Sequence, residues 1–239
     1  MAGYQGEYKV DIAFVIDATG SMGPIIEQLK RNTRTLCDEI RRVLRIWKPD
    51  SSLRMRIIDF ADFAFEGEDA IHVSPFFAIP DEKEQFENYV KGIKYYGRGG
   101  DKPENGLEAL WEAMKADWGD WSIGTRGRQA IVVITDAFPL HLRVRAGCKG
   151  YVVENYPSSI REMEEARRDN IFGGPNEYNK RLLLFAPKGK DVEGHSWEEV
   201  YGWSGGVLIP VKPGNGLGEW KDNFDEFIHC ILEEICWDD

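Results

Sequence analysis

The chain has 239 residues, with 30 Lys or Arg against 41 Asp or Glu and a formal charge of −11. A nucleic-acid surface needs clustered cations to neutralise phosphate, and no basic run here exceeds two residues, so no nucleic-acid partner is expected. The longest apolar stretches reach about half a dozen residues against the ~20 of a membrane span, so no membrane partner is expected either.

Four cysteines, Cys37, Cys148, Cys230 and Cys236, form no C-x-x-C pair. Their spacing suits neither a zinc knuckle nor a redox motif, and they read as reduced thiols of a cytoplasmic protein. The opening MAGYQGEYKVD has no apolar h-region, so no secretory signal is expected.

VDIAFVI, residues 10–16, reads as a strand buried on both faces, because it is apolar, rich in β-branched residues and lacks a polar face. Gly23-Pro24 opens a helix, and Ile25, Leu29, Leu36, Ile40, Val43, Leu44 and Trp47 recur at helical spacing until Lys48-Pro49 stops it. Residues 53–65 and 71–79 read as the second and third strands. Pro75 places the third at a sheet edge, since proline cannot donate to a ladder.

Residues 81–93 predict an amphipathic helix. A glycine-rich loop, YYGRGGDKPE, leads to another helix from Pro103 with Leu107, Leu110, Trp111 and Met114 on one face. AIVVITD, residues 130–136, repeats the opening pattern of an apolar strand ending in Asp. Residues 138–157 look irregular, with Arg143, Arg145 and Lys149 making a moderately basic loop open to a partner. A helix in SSIREMEEARRD, a strand in RLLLFAP, a short helix in HSWEEVYGW, a last strand in GVLIPV and a final helix complete the chain. That final helix carries Trp220, Phe224, Phe227, Ile228, Ile231 and Ile235 on its core face.

Strands alternating with helices predict an α/β fold, a doubly wound, mostly parallel sheet with helices on both faces. No internal repeat or linker divides the chain, so residues 1–239 read as one domain with a core over about 9–236.

Asp17 and Asp136 both follow apolar strands, and open α/β sheets bind ligands beyond the carboxyl ends of strands where the strand order reverses. Two carboxylates there repel unless a cation lies between them or one is protonated. Thr19 and Ser21, on the loop after Asp17, add hydroxyl oxygens. Asp101, at the tip of the glycine-rich loop, adds a third carboxylate, with Gly97, Gly99 and Gly100 allowing close backbone approach. A set of hard oxygens without sulfur or imidazole suits Mg²⁺, Mn²⁺ or Ca²⁺ and does not suit zinc.

Each stretch alone has a plainer reading, as a helix cap or a turn. The bland reading also serves Asp59 and Asp62, taken as the solvent side of an alternating strand. His72, His195 and His229 are scattered. His141 and Phe138 lie close to the third loop as candidate partner contacts, with Phe138 an exposed aromatic or packed beneath the loop.

DATGSM after a buried strand resembles the D-x-[ST]-x-S element of von Willebrand factor A domains, their metal-ion-dependent adhesion site. GGDKPE resembles the GG-D-x-PE loop of one subgroup, and VVITDAFP resembles the third element. The resemblance covers roughly residues 9–236 and implies a sheet of order 3-2-1-4-5-6 with an antiparallel edge strand. It implies direct metal ligation by Thr19 and Ser21, water-mediated contact from Asp17 and Asp136, and Asp101 where integrin-type domains carry threonine. By this resemblance the chain is a metal-dependent protein-interaction module and not an enzyme. Its partner could complete the metal shell with an acidic residue, and intracellular members work beside separately encoded ATPases, kinases or phosphatases.

Two other readings compete. A haloacid-dehalogenase-like phosphatase also places Asp at the first strand end with Mg²⁺. Its acid/base aspartate two positions later is Thr19 here, and the downstream lysines, Lys180 and Lys188, flank a strand without a motif. The other is a structural domain of this fold with a vestigial metal site.

The carboxylate at position 101 adds a full negative charge near the cation. It should hold the ion more tightly and weaken its pull on an incoming carboxylate. Asp101→Thr is therefore expected to lower Mg²⁺ affinity while raising affinity for an acidic ligand. Calorimetry showing unchanged metal binding in that variant would refute this role.

Overall fold

The computed structural model describes residues 8–96, 103–119, 121, 125–215, 217–218 and 224–236, the side chain of 236 excepted. These residues form a seven-stranded sheet from β1 (Tyr8–Asp17), β2 (Ser51–Phe60), β3 (Ile71–Val73), β4 (Phe77–Ile79), β5 (Arg126–Ile134), β6 (Lys180–Pro187) and β7 (Gly206–Val211). The order is β3-β2-β1-β5-β6-β7, with β4 also on β2. β1, β2, β5, β6 and β7 pair in parallel, whereas β3 and β4 run antiparallel to β2. This is the order and the antiparallel edge that the resemblance implies. The strand order reverses between β1 and β5, where a ligand crevice is expected.

The helices are α1 (Gly23–Trp47), α2 (Phe63–Glu66), α3 (Lys83–Gly92), α4 (Gly106–Met114), α5 (Ile160–Arg168), α6 (Glu198–Tyr201) and α7 (Phe224–Cys236). Alternate residues of β1 serve opposite faces of the sheet. Ile12, Phe14 and Ile16 pack with Leu36 and Ile40 of α1, Phe86 of α3 and Phe227 of α7. Ala13 and Val15 face Leu107 and Leu110 of α4, Met163 of α5 and Trp197. Complete burial of each large apolar side chain contributes about 1.5–3 kcal/mol. Among the described residues, no helix is long and apolar enough to cross a membrane. Cys37, Cys148 and Cys230 carry free thiols.

Three expectations need correction. The second strand stops at Phe60, five residues early, because Asp62 turns the chain into α2: its side chain accepts from Ala64 N at 2.7 Å. The third strand splits at Ser74-Pro75-Phe76. Ser74 takes over the ladder there, its N–H reaching Ile57 O and its Oγ accepting from Ile57 N, each at 2.9 Å. Asp59 and Asp62, expected on a solvent face, are 4% and 2% exposed. Asp59 lies 2.9 Å from His72 Nδ1, and Asp62 accepts from both Nε and Nη2 of Arg145.

The segment 138–157 is also not a free basic loop. Arg143 donates to Tyr156 O and Pro157 O, Arg145 pairs with Asp62, and Lys149 lies 3.7 Å from Glu68. Tyr151 and Tyr156 pack with Phe63 in a small apolar cluster. The cations hold a folded lobe in place. Trp220, expected on the last helix, lies outside the described residues.

Gly106, the first residue of α4, lies against the buried ring of Trp197, and a Cβ there would stand 2.8 Å from two ring carbons. Gly106→Ala must push the ring or the helix aside and is expected to cost about 1–3 kcal/mol, read as a lower urea midpoint at unchanged m-value.

Candidate functional site

The parallel register carries Asp17, the last residue of β1, beside the chain that leaves β5, since Ile16 pairs with Ile134. Thr135 follows and donates its hydroxyl to Asp17 Oδ2 at 2.6 Å. On the other carboxylate oxygen, Thr19 donates twice, from its backbone N–H at 2.8 Å and from Oγ1 at 2.6 Å. Across the switch point, Ser21 donates its hydroxyl to Asp136 Oδ1 at 2.8 Å. Asp17, Thr19 and Asp136 are buried, whereas Ser21 is half-buried and opens the group to solvent. Four of the five metal-site residues singled out in the sequence therefore meet at one rim. The fifth, Asp101, lies outside the described residues, as does Gly100.

The ends of the glycine-rich loop are nevertheless fixed at that rim. Tyr96 N donates to Ala18 O at 2.8 Å, joining the loop's start to the segment after β1. At its far end, Glu104 N donates to Phe138 O at 3.0 Å, and Leu140 N donates to Glu104 O at 2.8 Å. Trp197 pins the third loop from below, its indole N–H donating to Ala137 O at 3.0 Å. Asn105 accepts from Phe63 N at 3.1 Å and ties the start of α4 to α2.

Burial raises the Asp17 carboxyl to about 6. The Thr135 and Thr19 hydrogen bonds oppose the rise, and the nearby Asp136 charge adds to it. Glu104 is pushed further, to about 10, first by burial and then by Asp17 and Asp62, with Arg145 pulling the other way. It is 2% exposed, and among the described residues its Oε2 has no hydrogen-bond partner. This side chain was missed as a site residue, although it is the glutamate of GGDKPE. Burial beside the strand-end carboxylates disfavours its charged form. Thr135, the other omission, precedes Asp136 in VITD, where only its place next to a strand-end aspartate hinted at a role.

The two candidate partner contacts fall on either side of the third loop. Phe138 is half-buried, so its side chain is neither fully displayed nor packed away, and its carbonyl forms the tie to Glu104. His141 is exposed and joins a cleft of about 290 Å³ with Leu142, Ser159 and Lys190. Its ring lies 4.7 Å from that of His195, which in turn is held by Asp191 at 2.8 Å, so His195, read as scattered, is a neighbour of the candidate contact His141. Among the described residues, no three His, Cys, Asp or Glu side chains cluster as a metal-holding group. Among the described residues, the rim offers the carboxylates of Asp17 and Asp136 and the hydroxyls of Thr19, Ser21 and Thr135.

No family model matches the chain, and no curated protein matches it in sequence. Among solved structures it is similar to the pilus adhesin SpaC from Lactobacillus rhamnosus GG. The TM-score is 0.52 for the open conformation and 0.54 for a second crystal structure, each at 10% identity, and each match covers 92% of this chain. The chain spans about 30% of the length of that adhesin. The vWF domain of the type V pili tip protein Mfa5 from Porphyromonas gingivalis aligns over 55% of this chain and 39% of its own at 13% identity, with a TM-score of 0.37. At such identities the adhesin likeness establishes the fold and no more.

Glu104 binds a proton in the folded chain that the unfolded chain releases above its ordinary carboxylate range. The stability it contributes is full below pH ~4.5 and is lost as pH rises towards about 10. Glu104→Gln removes that penalty without adding charge. In chelator, the variant is expected to exceed the parent in urea resistance at pH 8, by a margin that shrinks towards pH 4.5. Equal midpoints at both pH values would show that Glu104 is ionised as usual.

Proposed function

We propose that the chain is a von Willebrand factor A-like module that holds a divalent cation at this rim and engages a protein partner through it. The observation that carries the reading is the direction of the two hydroxyl hydrogen bonds. Thr19 and Ser21 each donate their single proton to a strand-end carboxylate, Asp17 and Asp136 respectively. Both hydroxyl oxygens therefore keep lone pairs for a cation, while the carboxylates neutralise it from one layer behind.

The donor chemistry fits Mg²⁺, Mn²⁺ or Ca²⁺, because all the groups are hard oxygens. The elevated Asp17 carboxyl also fits, since burial beside Asp136 leaves negative charge that a cation would offset. Asp101 completes the set in this reading, on the loop anchored at Tyr96 and Glu104. Phe138 and His141 border the surface that a partner would meet, with Gly100 assigned to the same contact, and an acidic side chain of that partner could enter the metal shell. The free thiols suit a reducing compartment, and we assign the module to the cytoplasm as an adaptor or scaffold for a separately encoded ATPase, kinase or phosphatase.

No observation favours the phosphatase reading. Thr19 is engaged as a donor to Asp17. Lys180 opens β6 at the edge of the sheet opposite the rim, where it cannot reach a phosphate held by Asp17.

Thermal melts in Mg²⁺, Mn²⁺ and Ca²⁺ against chelator are the direct test. A saturable rise in Tm is expected with at least one ion, and Ser21→Ala, at a half-buried position, should weaken it. Protons compete at Asp17, so apparent affinity should fall about tenfold per unit below pH 6. Partners captured by the native chain should be lost both with chelator and with Asp17→Ala. A melt unchanged by all three ions would instead mark the site as vestigial.

A further inference from the structure

Two cationic side chains are buried at the opposite end of the sheet. Gln129, the fourth residue of β5, pairs in register with Lys180, the first of β6, and both are buried, at 6% and 4% exposure. Arg167, in the last turn of α5, is buried beside them at 8% exposure. Lys180 Nζ donates to Arg167 O at 2.7 Å and to Asn170 Oδ1 at 2.8 Å, which accounts for two of its three protons. Arg167 Nη1 donates to Ser204 O at 2.7 Å, while among the described residues Nη2 has no hydrogen-bond partner.

A cavity of about 20 Å³ lies against these groups, lined by Arg167, Lys180, Asn170, Gln129, Arg181 and Phe172 among others, and no carboxylate lines it. Among the described residues, neither Arg167 nor Lys180 forms a salt bridge. Glu177 acts on both only at longer range. Burial lowers Arg167 to about 10 and Lys180 to about 8, with Arg167 adding to the fall of Lys180.

Two cations taken out of water without a counter-charge are costly, and proteins ordinarily compensate such groups by pairing them. A nearby carboxylate would do so, but among the described residues none pairs with either group, Glu164 and Glu177 acting on Arg167 only at longer range. A helix C-terminus does part of the work, since the ammonium of Lys180 caps the carbonyl of Arg167 at the end of α5. The unused guanidinium nitrogen remains. Gln129, whose Oε1 has no donor, can present either end of its amide by a half-turn of the terminal torsion.

We propose that this cavity binds one small anion, of the size of chloride or a single carboxylate group, between Arg167 and Lys180. The volume sets the size, because roughly 10–15 Å³ of such space holds one water-sized atom, so one or two atoms fit. Nucleotides and phosphoesters are too large. The site lies at the end of the sheet away from the candidate metal rim and does not depend on the function proposed for that rim.

The test uses the full chain in gluconate buffer at constant ionic strength, titrated separately with chloride, formate and sulfate. Chloride or formate is expected to raise Tm saturably, by roughly 5–10 °C at a hundredfold excess over Kd, with sulfate weaker than both. A response to chloride alone would identify an inorganic ion as the occupant, whereas a stronger response to formate would identify a carboxylate group. Arg167→Gln should abolish the response. As that variant could fold poorly, bromide-soaked crystals of the native chain give a second readout, an anomalous peak within hydrogen-bond distance of Arg167 Nη2. Equal melts in every anion, or a water at that position without bromide, would overturn the assignment.

Discussion

Two carboxylates buried side by side at the switch point are the constraint around which the rim is built. Asp17 is fully buried and Asp136 is 2% exposed, in surroundings where unscreened like charges repel strongly. The fold answers with hydroxyl donors. Thr19 and Thr135 close on Asp17 from opposite sides, and Ser21 reaches Asp136. Burial pushes the Glu104 carboxyl up to about 10, and the charges of Asp17 and Asp62 add to the rise against the opposing pull of Arg145. Asp62, a fourth carboxylate in this region, pairs with Arg145 on two guanidinium nitrogens.

That arrangement requires three loops from distant parts of the chain to keep their relative positions, and backbone hydrogen bonds supply the stiffness. Tyr96 holds to Ala18, Glu104 to Phe138, and Leu140 to Glu104. Trp197, buried between the start of α4 and the third loop, props Ala137 from beneath. The lobe around Phe63, Tyr151 and Tyr156 braces the same region, and Tyr151 donates to Glu108 on α4. The rim is thus placed by elements on both sides of it, as a binding surface must be if its oxygens are to keep their aim without a ligand.

The sheet is polarised. Carboxylates gather at its carboxyl-terminal rim, whereas at its amino-terminal end Arg167 and Lys180 are buried and the buried carboxylate of Asp11 is taken up by Arg54. Each end takes polar groups into the protein that the apolar strands between them do not need. The likeness to the SpaC adhesin at 10% identity shows how little of the sequence this framework fixes.

Periodicity decided most of the architecture. VDIAFVI and AIVVI are buried on both faces, and apart from Asp11, which pairs with Arg54, their side chains are apolar, so composition identifies them. Pro75 marked the edge because it cannot donate to a ladder, and DATGSM, GGDKPE and VITD marked the rim because polar residues at strand ends have no packing role. Pattern failed where polar residues are buried. Asp59 and Asp62 alternate as a solvent face would, yet His72 and Arg145, thirteen and eighty-three residues away, take them inside. The protonation of Glu104, the capture of the basic loop by Asp62 and Glu68, and the meeting of His141 with His195 are likewise products of the tertiary structure. A local window registers the polarity of a side chain, whereas its burial and charge state depend on partners that only the folded chain brings near.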